Sequence, residues 1–446
     1  MKTIPDTASA LANGRTTSRD LIDAALARIA DPGGEGGRAF VRVYADAARA
    51  MADAADAQRR AGRAPGPLAG IPISIKDLFD VAGEPTPAGS KVLADAPPAP
   101  AHATVIARAL AAGLIPVGRT NMTEFAFSGL GINPHYGTPS SPWDRATGRI
   151  PGGSSSGAAV SVSDGMALAG LGTDTGGSCR VPAAMCGITG YKPTARRVPL
   201  TGVLPLSRSL DSIGPLANTV ACCATIDAVL AGETPVPITP LDVSGLRLAV
   251  PENIVFEGAD ETVLGTFDRA LARLEKAGAR IIRRRFSGLD DVAIANRTGG
   301  FAAPEAFAQH RALLAKRGDG YDPHVRRRIE RGGEMHVADY IALAAERIAV
   351  ITRMNAQTAP YDALVMPTCP LAPPAIAPLE ADDEEYRRVN LLQLRNTALG
   401  NFLDRCAISL PCHAPGDPPV GFMVMGETMG DAKLFAIAAA IEAAIR

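Results

Sequence analysis

Apolar residues recur along the N-terminal part of the chain at the spacing of an α-helix. Ile22 and Leu26 follow a capping box that begins at Thr17, so a helix is predicted from there. An alanine-rich stretch from about residue 44 to 62 predicts a second helix that ends at a glycine. We therefore expect about residues 1–65 to form helices that pack on the rest of the chain and have a structural role only.

Strict alternation follows, where isoleucines are separated by one residue each. Ile71, Ile73 and Ile75 would lie on one face of a strand, and Lys76 would lie on the other face at its end. A lone lysine at the end of a strand is ordinarily a solvated charge. That interpretation of Lys76 holds unless other motifs place chemistry beside it.

Beyond this strand, helical and extended patterns alternate, which is typical of an α/β fold with helices on both faces of a sheet. The proline-rich segment 234–240 is interpreted as a surface connection and not as a domain boundary, because the predicted strands on both sides fit one sheet. We predict helix–strand pairs at about 104–112 and 114–117, 158–163 and 166–172, and 263–277 and 279–282, further strands at 246–250, 363–366, 407–410 and 420–424, and a closing helix at 431–445.

The composition favours a globular protein without nucleic-acid or membrane partners. Of the 446 residues, 47% are hydrophobic, which supports a sizeable core, and the net charge of −1 argues against a nucleic-acid surface. No apolar run reaches roughly 18 residues, so no membrane span is predicted. The first residues lack the apolar run of a signal peptide, and we expect a cytoplasmic protein.

The cysteines and histidines show no pattern of a metal or redox site. Seven cysteines are an odd number without a CxxC pair, which favours buried free thiols in a reducing cytoplasm. The six histidines lack metal-ligand spacing, and the chain has no GxxxxGK(S/T) phosphate loop. We predict no metal and no cofactor.

Two glycine–serine turns contain the residues best suited to chemistry. The first reads PGGSSSG over residues 151–157, and the second reads TDTGGSCR over residues 173–180. A short helix and a strand fit between them. Glycine pairs allow positive φ and can direct successive N–H groups into one concavity. The second turn would present its amides to a negative charge near Ser178, and the first would bring Ser154 beside it.

These segments resemble the signature of the amidase signature family, serine hydrolases in which a Ser–Ser–Lys triad cleaves amides. The resemblance is strongest over about residues 68–215, the expected catalytic core, and it implies one α/β/α domain over 1–446 with a mixed sheet. The matching stretches are 152–155, 172–178 and 180–183, with the lysine motif at 73–77 and shorter similarities at 120–125, 209–215 and 366–368.

The resemblance assigns the triad to Lys76, Ser154 and Ser178. Serine needs a base to take its proton, and no histidine stands in a triad motif here. A lysine can serve when it is neutral, which requires its pKa to fall from near 10.4 by roughly 3 units, about 4 kcal/mol. We expect burial to cause this fall, and a proton relay from Ser178 Oγ through Ser154 Oγ to Lys76 Nζ.

A tetrahedral intermediate on the nucleophile would place negative charge beside the second turn. The backbone N–H groups of Thr175, Gly176, Gly177 and Ser178 are the candidate oxyanion hole. The resemblance also implies a cis peptide bond between Gly153 and the serine that follows it.

Supporting residues flank the two turns. Ser155 matches a family serine near the active site and is expected to hydrogen-bond the lysine or the backbone, whereas Ser156 is favoured as a helix N-cap. Asp174 and Arg180 are expected to pair with each other across the second turn, in preference to contacting substrate.

Other candidates have mainly structural interpretations. Cys179 is expected to pack in the core and not to replace the nucleophile, and His135 is interpreted as a hydrogen-bonding residue of a loop. Asp211 is assigned a structural role. Met122 and Phe125 either line a substrate pocket or pack in the core, and the sequence favours neither.

The leading hypothesis is a free-standing amidase that hydrolyses a small-molecule carboxylic amide to an acid and ammonia or an amine. The runner-up is the glutaminase (A) subunit of a tRNA-dependent amidotransferase. Segment 401–411 (NFLDRCAISLP) departs from the glycine-rich stretch associated with that subunit, and its Arg405 is unusual in either group. Remote alternatives are a catalytically inactive scaffold and a phosphate-binding protein that uses the turns as anion nests.

We therefore expect the chain alone to hydrolyse a simple aryl or short acyl amide, with glutamine a poor substrate. The sequence does not identify the substrate, and it leaves open whether the chain forms a homodimer.

Overall fold

The computed structural model describes residues 3–445 and contains an 11-stranded sheet. Of the alternating isoleucines, Ile73 and Ile75 belong to an inner strand of this sheet, and Ile71 directly precedes it. The strands are Phe40–Val43 (β1), Pro72–Lys76 (β2), Ile115–Thr120 (β3), Ala169–Asp174 (β4), Thr189–Lys192 (β5), Ser212–Ala217 (β6), Arg247–Pro251 (β7), Arg280–Arg284 (β8), Ala363–Pro367 (β9), Ala407–Pro411 (β10) and Gly421–Met425 (β11). Across the sheet they lie in the order β1-β3-β2-β4-β6-β5-β10-β11-β9-β7-β8.

The sheet is mixed. Strands β3, β2 and β4 are parallel neighbours, as are β9, β7 and β8, and the remaining neighbours are antiparallel. Parallel strands need cover on both faces, and β2, β3 and β4 are buried over their whole length. The strands before and after loop 234–240 belong to this one sheet, which confirms the predicted α/β/α fold around a mixed sheet.

Helices cover both faces of the sheet. Short 3-10 helices occur at Glu124–Ala126, Asn296–Thr298, Gly318–Gly320 and Arg331–Glu334. The α-helices are Ile4–Ala12 (α1), Ser18–Ala30 (α2), Gly36–Ala39 (α3), Ala45–Arg60 (α4), Thr104–Ala111 (α5), Ser156–Ser163 (α6), Arg180–Cys186 (α7), Val220–Ala231 (α8), Glu261–Lys276 (α9), Ser287–Ala295 (α10), Ala302–Arg317 (α11), Pro323–Glu330 (α12), Val337–Thr358 (α13), Ile376–Ala381 (α14), Asp383–Phe402 (α15) and Asp431–Ile445 (α16).

Successive residues of a strand enter different core clusters. Val365 and Phe422 belong to the core cluster that includes residues of α1, α5, α8, α9 and α16, whereas Met366 and Met423 belong to the cluster that includes residues of α10, α13 and α15. At the opposite end of the sheet, α2, α4, α6 and α7 cover the second face. The period-two side-chain pattern of strands therefore produces two apolar layers with the sheet between them.

Most predicted elements are present, with bounds that differ by a few residues. Helix α2 begins after the predicted capping box, in which Thr17 and Asp20 each accept a hydrogen bond from the other's backbone. Strand β4 begins later than predicted and extends to Asp174, so it leads directly into the second glycine–serine turn. The patterns gave no indication of β1, β5 and β6, because these strands are short, and β5 and β6 are buried on both faces and therefore show no alternation.

The cysteines lie in the interior of the described part of the chain. All seven are free and buried, as predicted, and burial raises the pKa of Cys186 and Cys223 well above the usual range. No helix between residues 3 and 445 combines the length and apolar character needed to cross a membrane.

A buried carboxylate joins the closing helix to the sheet. Asp431, the first residue of α16, is 2% exposed. It accepts hydrogen bonds from the Tyr191 hydroxyl at 2.5 Å, from Thr194 N at 2.9 Å and from Thr194 Oγ1 at 2.8 Å. Because Tyr191 belongs to β5 and Thr194 follows that strand, Asp431 fixes α16 against the centre of the fold.

We expect Asp431→Ala to lower the free energy of unfolding by about 3 kcal/mol, because three buried donors lose a charged acceptor. Asp417→Ala is the matched control: Asp417 is exposed in a loop, so its loss should change stability by less than about 0.5 kcal/mol. Urea unfolding followed by circular dichroism measures both changes. Equal stabilities of the two variants would contradict this role of Asp431.

Candidate active site

Lys76 lies at the end of β2, enclosed by the neighbouring strands and 0% exposed. Its Nζ donates hydrogen bonds to Ser154 Oγ at 2.8 Å and to Thr173 Oγ1 at 2.9 Å. Burial lowers the pKa of Lys76 to about 7, although the charges of Asp174 and Asp211 act in the opposite direction. Burial excludes a solvated charge, the ordinary interpretation of a lone lysine that the neighbouring serine turns had already disfavoured, and the amine is suited to accept a proton near neutral pH.

Ser154 lies in the first glycine–serine turn, and its side chain is 0% exposed. The peptide bond between Gly153 and Ser154 is cis, as the resemblance implied. Gly153 N donates to Gly129 O at 2.8 Å, and Thr123 N donates to Ser154 O at 3.1 Å. Two backbone hydrogen bonds thus hold the turn in the position where Ser154 Oγ meets the lysine.

The next two serines support the same turn from its far side. Ser155 Oγ donates to the backbone carbonyl of Thr173 at 3.4 Å and does not bond the lysine. Ser155 also occupies the N-cap position of α6, and Ser156 is the first helical residue, so the N-cap prediction for Ser156 is wrong by one position. Ser156 Oγ instead donates to Asn121 O at 3.4 Å.

The second turn spans residues 175–179, between the end of β4 and the start of α7. In the described range 3–445, none of the consecutive N–H groups from Thr175 to Ser178 donates a hydrogen bond. Ser178 is 4% exposed, and in that range its Oγ has no hydrogen-bond partner, Ser154 included. The turn therefore presents a hydroxyl and a run of free amide donors.

The two turns pack against each other across Gly172. A Cβ atom at this position would lie 2.8 Å from Ser155 Oγ and 3.1 Å from Cys179 Sγ. Only a glycine in β4 lets both turns approach the strand so closely. This packing brings the residue after Ser154 and the residue after Ser178 to the same point of the sheet.

Gly177 fixes the shape of the second turn. Its φ is 141°, and a Cβ there would lie 2.2 Å from Thr397 Oγ1. Thr397, on α15, donates its hydroxyl proton to Gly176 O at 2.6 Å. Helix α15 therefore supports the turn on the side away from β4.

Asp174 and Arg180 form the expected ion pair across the second turn. Arg180 Nη2 donates to Asp174 Oδ1 at 2.8 Å and Nε donates to Oδ2 at 3.0 Å, with both side chains 0% exposed. Burial alone would raise the pKa of Asp174, but the charge and hydrogen bonds of Arg180 outweigh it and lower this pKa to about 2. Asp174 Oδ2 also accepts from Cys179 N at 3.1 Å, next to the nucleophile candidate.

Three further residues hold the second turn and the lysine in place. The sequence predicted a structural role for one of them and no role for the other two. Thr173 Oγ1 accepts a hydrogen bond from the same lysine amine as Ser154 Oγ, and Asn401 Nδ2 donates to Asp174 O at 3.0 Å. Asp211 Oδ1 accepts from Thr175 Oγ1 at 2.5 Å, in agreement with its predicted structural role. Thr173 belongs to the strand next to the one that carries the lysine, so the pairing of the two strands could have indicated its contact with Lys76. Asn401 lies far away in the sequence, and no sequence pattern could have indicated its contact with Asp174.

The remaining candidates lie away from this proton path. Cys179 is 0% exposed and burial raises its pKa, so its thiol is poorly suited to attack. His135 Nε2 lies 2.7 Å from Glu124 Oε1, as expected for a residue that orders a loop. Met122 and Phe125 are buried in the core. In the described range, no group of three or more His, Cys, Asp and Glu residues could hold a metal ion.

An arginine of α12 lies beside the loop that follows Phe125. Arg328 of α12 is half-buried, and its Cζ lies 4.5 Å from the centroid of the Phe127 ring. Between residues 3 and 445 it forms no hydrogen bond or ion pair, and its Nη1 is buried without a partner. A guanidinium in this state can bind a carboxylate. No motif or periodic pattern in the sequence pointed to this arginine.

The loop under Arg328 is hydrogen-bonded to the first turn. Gly129 accepts from Gly153 N, and it is packed by Leu394 of α15, which also lies 3.8 Å from the Cβ position of Gly176. Loop residues 127–131 and α15 therefore border both turns. The cation is thus attached to the same wall of the site that positions Ser154.

The chain is similar to known proteins over most of its length. A family model described as Amidase matches residues 20–435. The chain is 39% identical over 407 residues to 2-amino-5-chloromuconic acid deaminase of Comamonas testosteroni, with 89% of this chain and 86% of that protein covered. It is 34% identical over 470 aligned positions to the A subunit of glutamyl-tRNA(Gln) amidotransferase from Chloroflexus aggregans, with coverage of 96% and 93%. A crystal structure of an amidase matches with a TM-score of 0.90 and 32% identity over 100% of both chains.

We expect Gly177→Ala to lower stability by about 2 kcal/mol or more and to slow labelling of Ser178 by a fluorophosphonate probe, because its Cβ would collide with Thr397. Gly176→Ala is the matched control, since its Cβ would meet only Leu394 at 3.8 Å and the amide donor is kept. Urea unfolding and labelling rates test both variants. Similar behaviour of the two would contradict the role of Gly177.

Proposed function

We propose a mechanism for this chain, which belongs to the amidase family and is an enzyme that hydrolyses carbon–nitrogen amide bonds. Ser178 is the nucleophile, Ser154 relays its proton, and Lys76 is the base. The observation that carries this proposal is the buried Lys76 Nζ at 2.8 Å from Ser154 Oγ. No cofactor takes part in these steps.

Acylation begins with the neutral amine of Lys76. It takes the proton of Ser154 Oγ while Ser154 takes the proton of Ser178 Oγ, and Ser178 Oγ forms a bond to the substrate carbonyl carbon. The carbonyl oxygen becomes an oxyanion. The proton then returns through Ser154 to the amide nitrogen, the carbon–nitrogen bond breaks, and ammonia or an amine leaves an ester on Ser178. Water attacks this ester by the same relay, and the acid is released.

The amide donors of the second turn stabilise the oxyanion. The N–H groups from Thr175 to Ser178 have no competing acceptor in the described residues, so they need no rearrangement when charge develops. The ion pair between Asp174 and Arg180 keeps the turn in place, since Asp174 also accepts from Cys179 N. Losing a single donor of this kind typically slows a reaction by about 10²–10³-fold.

We propose that the substrate is a small amide that carries a carboxylate. The support is Arg328, whose Nε and Nη2 have no partner in residues 3–445 and, unlike the enclosed Nη1, keep accessible surface, and whose guanidinium lies over Phe127 beside the first turn. A substrate carboxylate would satisfy this cation and orient the amide toward Ser178. The name of the 39% identical relative, an acid deaminase, agrees with an acidic substrate.

Two alternatives within the family follow from the relatives. Similarity to the deaminase favours, as a second candidate function, release of ammonia from an unsaturated amino acid of the aminomuconic type. Similarity to the amidotransferase protein supports a glutaminase role, which segment 401–411 argues against because it lacks the glycine-rich character expected there. A free-standing hydrolase remains our first proposal.

The purified chain alone should hydrolyse members of a panel of short aliphatic and aryl amides, each tested with and without a carboxylate. Ser178→Ala should lose at least about 10³-fold in kcat and all fluorophosphonate labelling. Cys179→Ala is the matched control and should keep its label. Labelling that persists in Ser178→Ala would exclude Ser178 as the nucleophile.

The same panel separates the alternatives. Ammonia released from a 2-aminomuconic acid, with all amides inert, would establish the deaminase function. Ammonia released from glutamine only after amidotransferase partner proteins are added would establish the glutaminase function. Either result would overturn the proposal of a free-standing amidase.

We expect kcat/KM to rise about tenfold per pH unit below pH 7 and to level off above it. Lys76 must be neutral to accept a proton, and its pKa is lowered by burial to about 7. Lys76→Ala should lose about 10²–10⁴-fold. Lys192→Met is the control, because Lys192 is also a buried lysine with a pKa lowered by burial to about 8 but bonds Pro193 O. A pH profile that falls toward pH 8 would contradict the base role.

We expect Arg328→Gln to lower kcat/KM by about 10²-fold for amides that carry a carboxylate, since a charged hydrogen bond contributes about 1.5–3 kcal/mol. Uncharged amides of the same length should change by less than about threefold. Arg327→Gln is the matched control, because the neighbouring Arg327 pairs with Asp383 at the surface. Equal losses for charged and uncharged amides would contradict carboxylate recognition by Arg328.

A further inference from the structure

A polar cavity separate from the candidate active site lies at the strand ends where β9 begins and β11 ends. Its volume is about 250 Å³, below the roughly 300–1,000 Å³ of sites for drug-sized molecules. None of the proposed catalytic residues lines it. Its polar lining includes Asn355, Tyr361, Asp362, Arg405, Glu427 and Lys433.

The base of this cavity is the guanidinium of Arg405, which is 3% exposed. Arg405 Nη2 donates to Asn355 Oδ1 at 2.8 Å and to Thr358 Oγ1 at 2.6 Å. A guanidinium has five N–H donors, so the one on Nε and the two on Nη1 remain. In the described range these two nitrogens have no hydrogen-bond partner, and neither is fully enclosed by protein atoms. Because Arg405 lines the cavity, a ligand there can reach them.

Arg405 differs from the other deeply buried arginines of residues 3–445. Arg119 pairs with Asp77 at 2.7 Å, and Arg180 pairs with Asp174 at 2.8 Å. No carboxylate lies within ion-pair distance of Arg405 in that part of the chain. Because a buried charge without a close partner is costly, an anion bound at Arg405 would relieve this cost; in the described residues only the charge of Glu427 acts on it, from beyond ion-pair distance.

The two carboxylates that line the cavity already interact with other groups of the protein. Lys433 Nζ lies 4.0 Å from Asp362 Oδ1 and 3.8 Å from Glu427 Oε1. Asp362 Oδ2 also accepts from Arg247 N at 2.9 Å. The cavity thus has a free cation at its base and a group of mixed charge at its mouth.

We propose that this cavity binds a small monocarboxylate, which accepts a hydrogen bond from Arg405 Nη1. The two carboxylates at the mouth disfavour a dianion such as phosphate, since like charges repel at these distances. Met425 and Leu364 also line the cavity and provide contact for a short alkyl chain. This site is independent of the proposed catalytic function.

Isothermal titration calorimetry with acetate, propionate and inorganic phosphate tests the proposal on the full chain carrying Ser178→Ala. We expect propionate to bind, phosphate to bind at least tenfold more weakly, and Arg405→Gln to lose propionate binding by at least tenfold. The parent chain also carries Arg328→Gln, which removes the carboxylate contact proposed at the candidate active site, so the measured binding reports on this cavity.

A second variant keeps the test decisive if Arg405→Gln does not fold. Lys433→Glu changes an exposed side chain at the mouth and should weaken propionate binding at least fivefold through added negative charge. The proposal fails if propionate does not bind, if it binds to the Arg405 and Lys433 variants as tightly as to the parent chain, or if phosphate binds more tightly than propionate.

Discussion

The desolvation of one amine is the constraint on which the site depends. Lys76 lies at the end of a strand that has parallel neighbours on both sides, and helices cover both faces of that part of the sheet. An ammonium is poorly solvated there, so the neutral amine is favoured and its pKa falls to about 7. The position of the lysine in the sheet thus explains how a residue that is ordinarily charged can act as a base.

That neutrality also depends on where the nearby negative charges are directed. Asp174 is paired with Arg180, and Asp211 accepts hydrogen bonds from Thr175 and from backbone amides. A carboxylate paired with Lys76 itself would raise its pKa and remove the base. The same two contacts hold the ends of the second turn, so one set of interactions keeps the lysine neutral and the amide donors in position.

Much of this could be predicted from the sequence, because short-range patterns report local structure. The isoleucine alternation predicted the strand that carries Lys76, and the spacing of the two glycine–serine turns predicted the helix and strand between them. Contacts from distant segments were not predictable: Asn401 reaches Asp174, and Arg328 reaches the wall of the site, only after α12 and α15 pack. Strands β5 and β6 were also missed, because strands buried on both faces show no alternation.

The most direct test of the proposed mechanism is a measurement of the protonation state of Lys76. The chain labelled with ¹³Cε-lysine should show, in a carbon–proton NMR titration, a resonance that is absent from Lys76→Met. We expect this resonance to titrate with a midpoint near pH 7. A midpoint near the ordinary value of about 10.4 would show that Lys76 is an ammonium at neutral pH and would contradict the account.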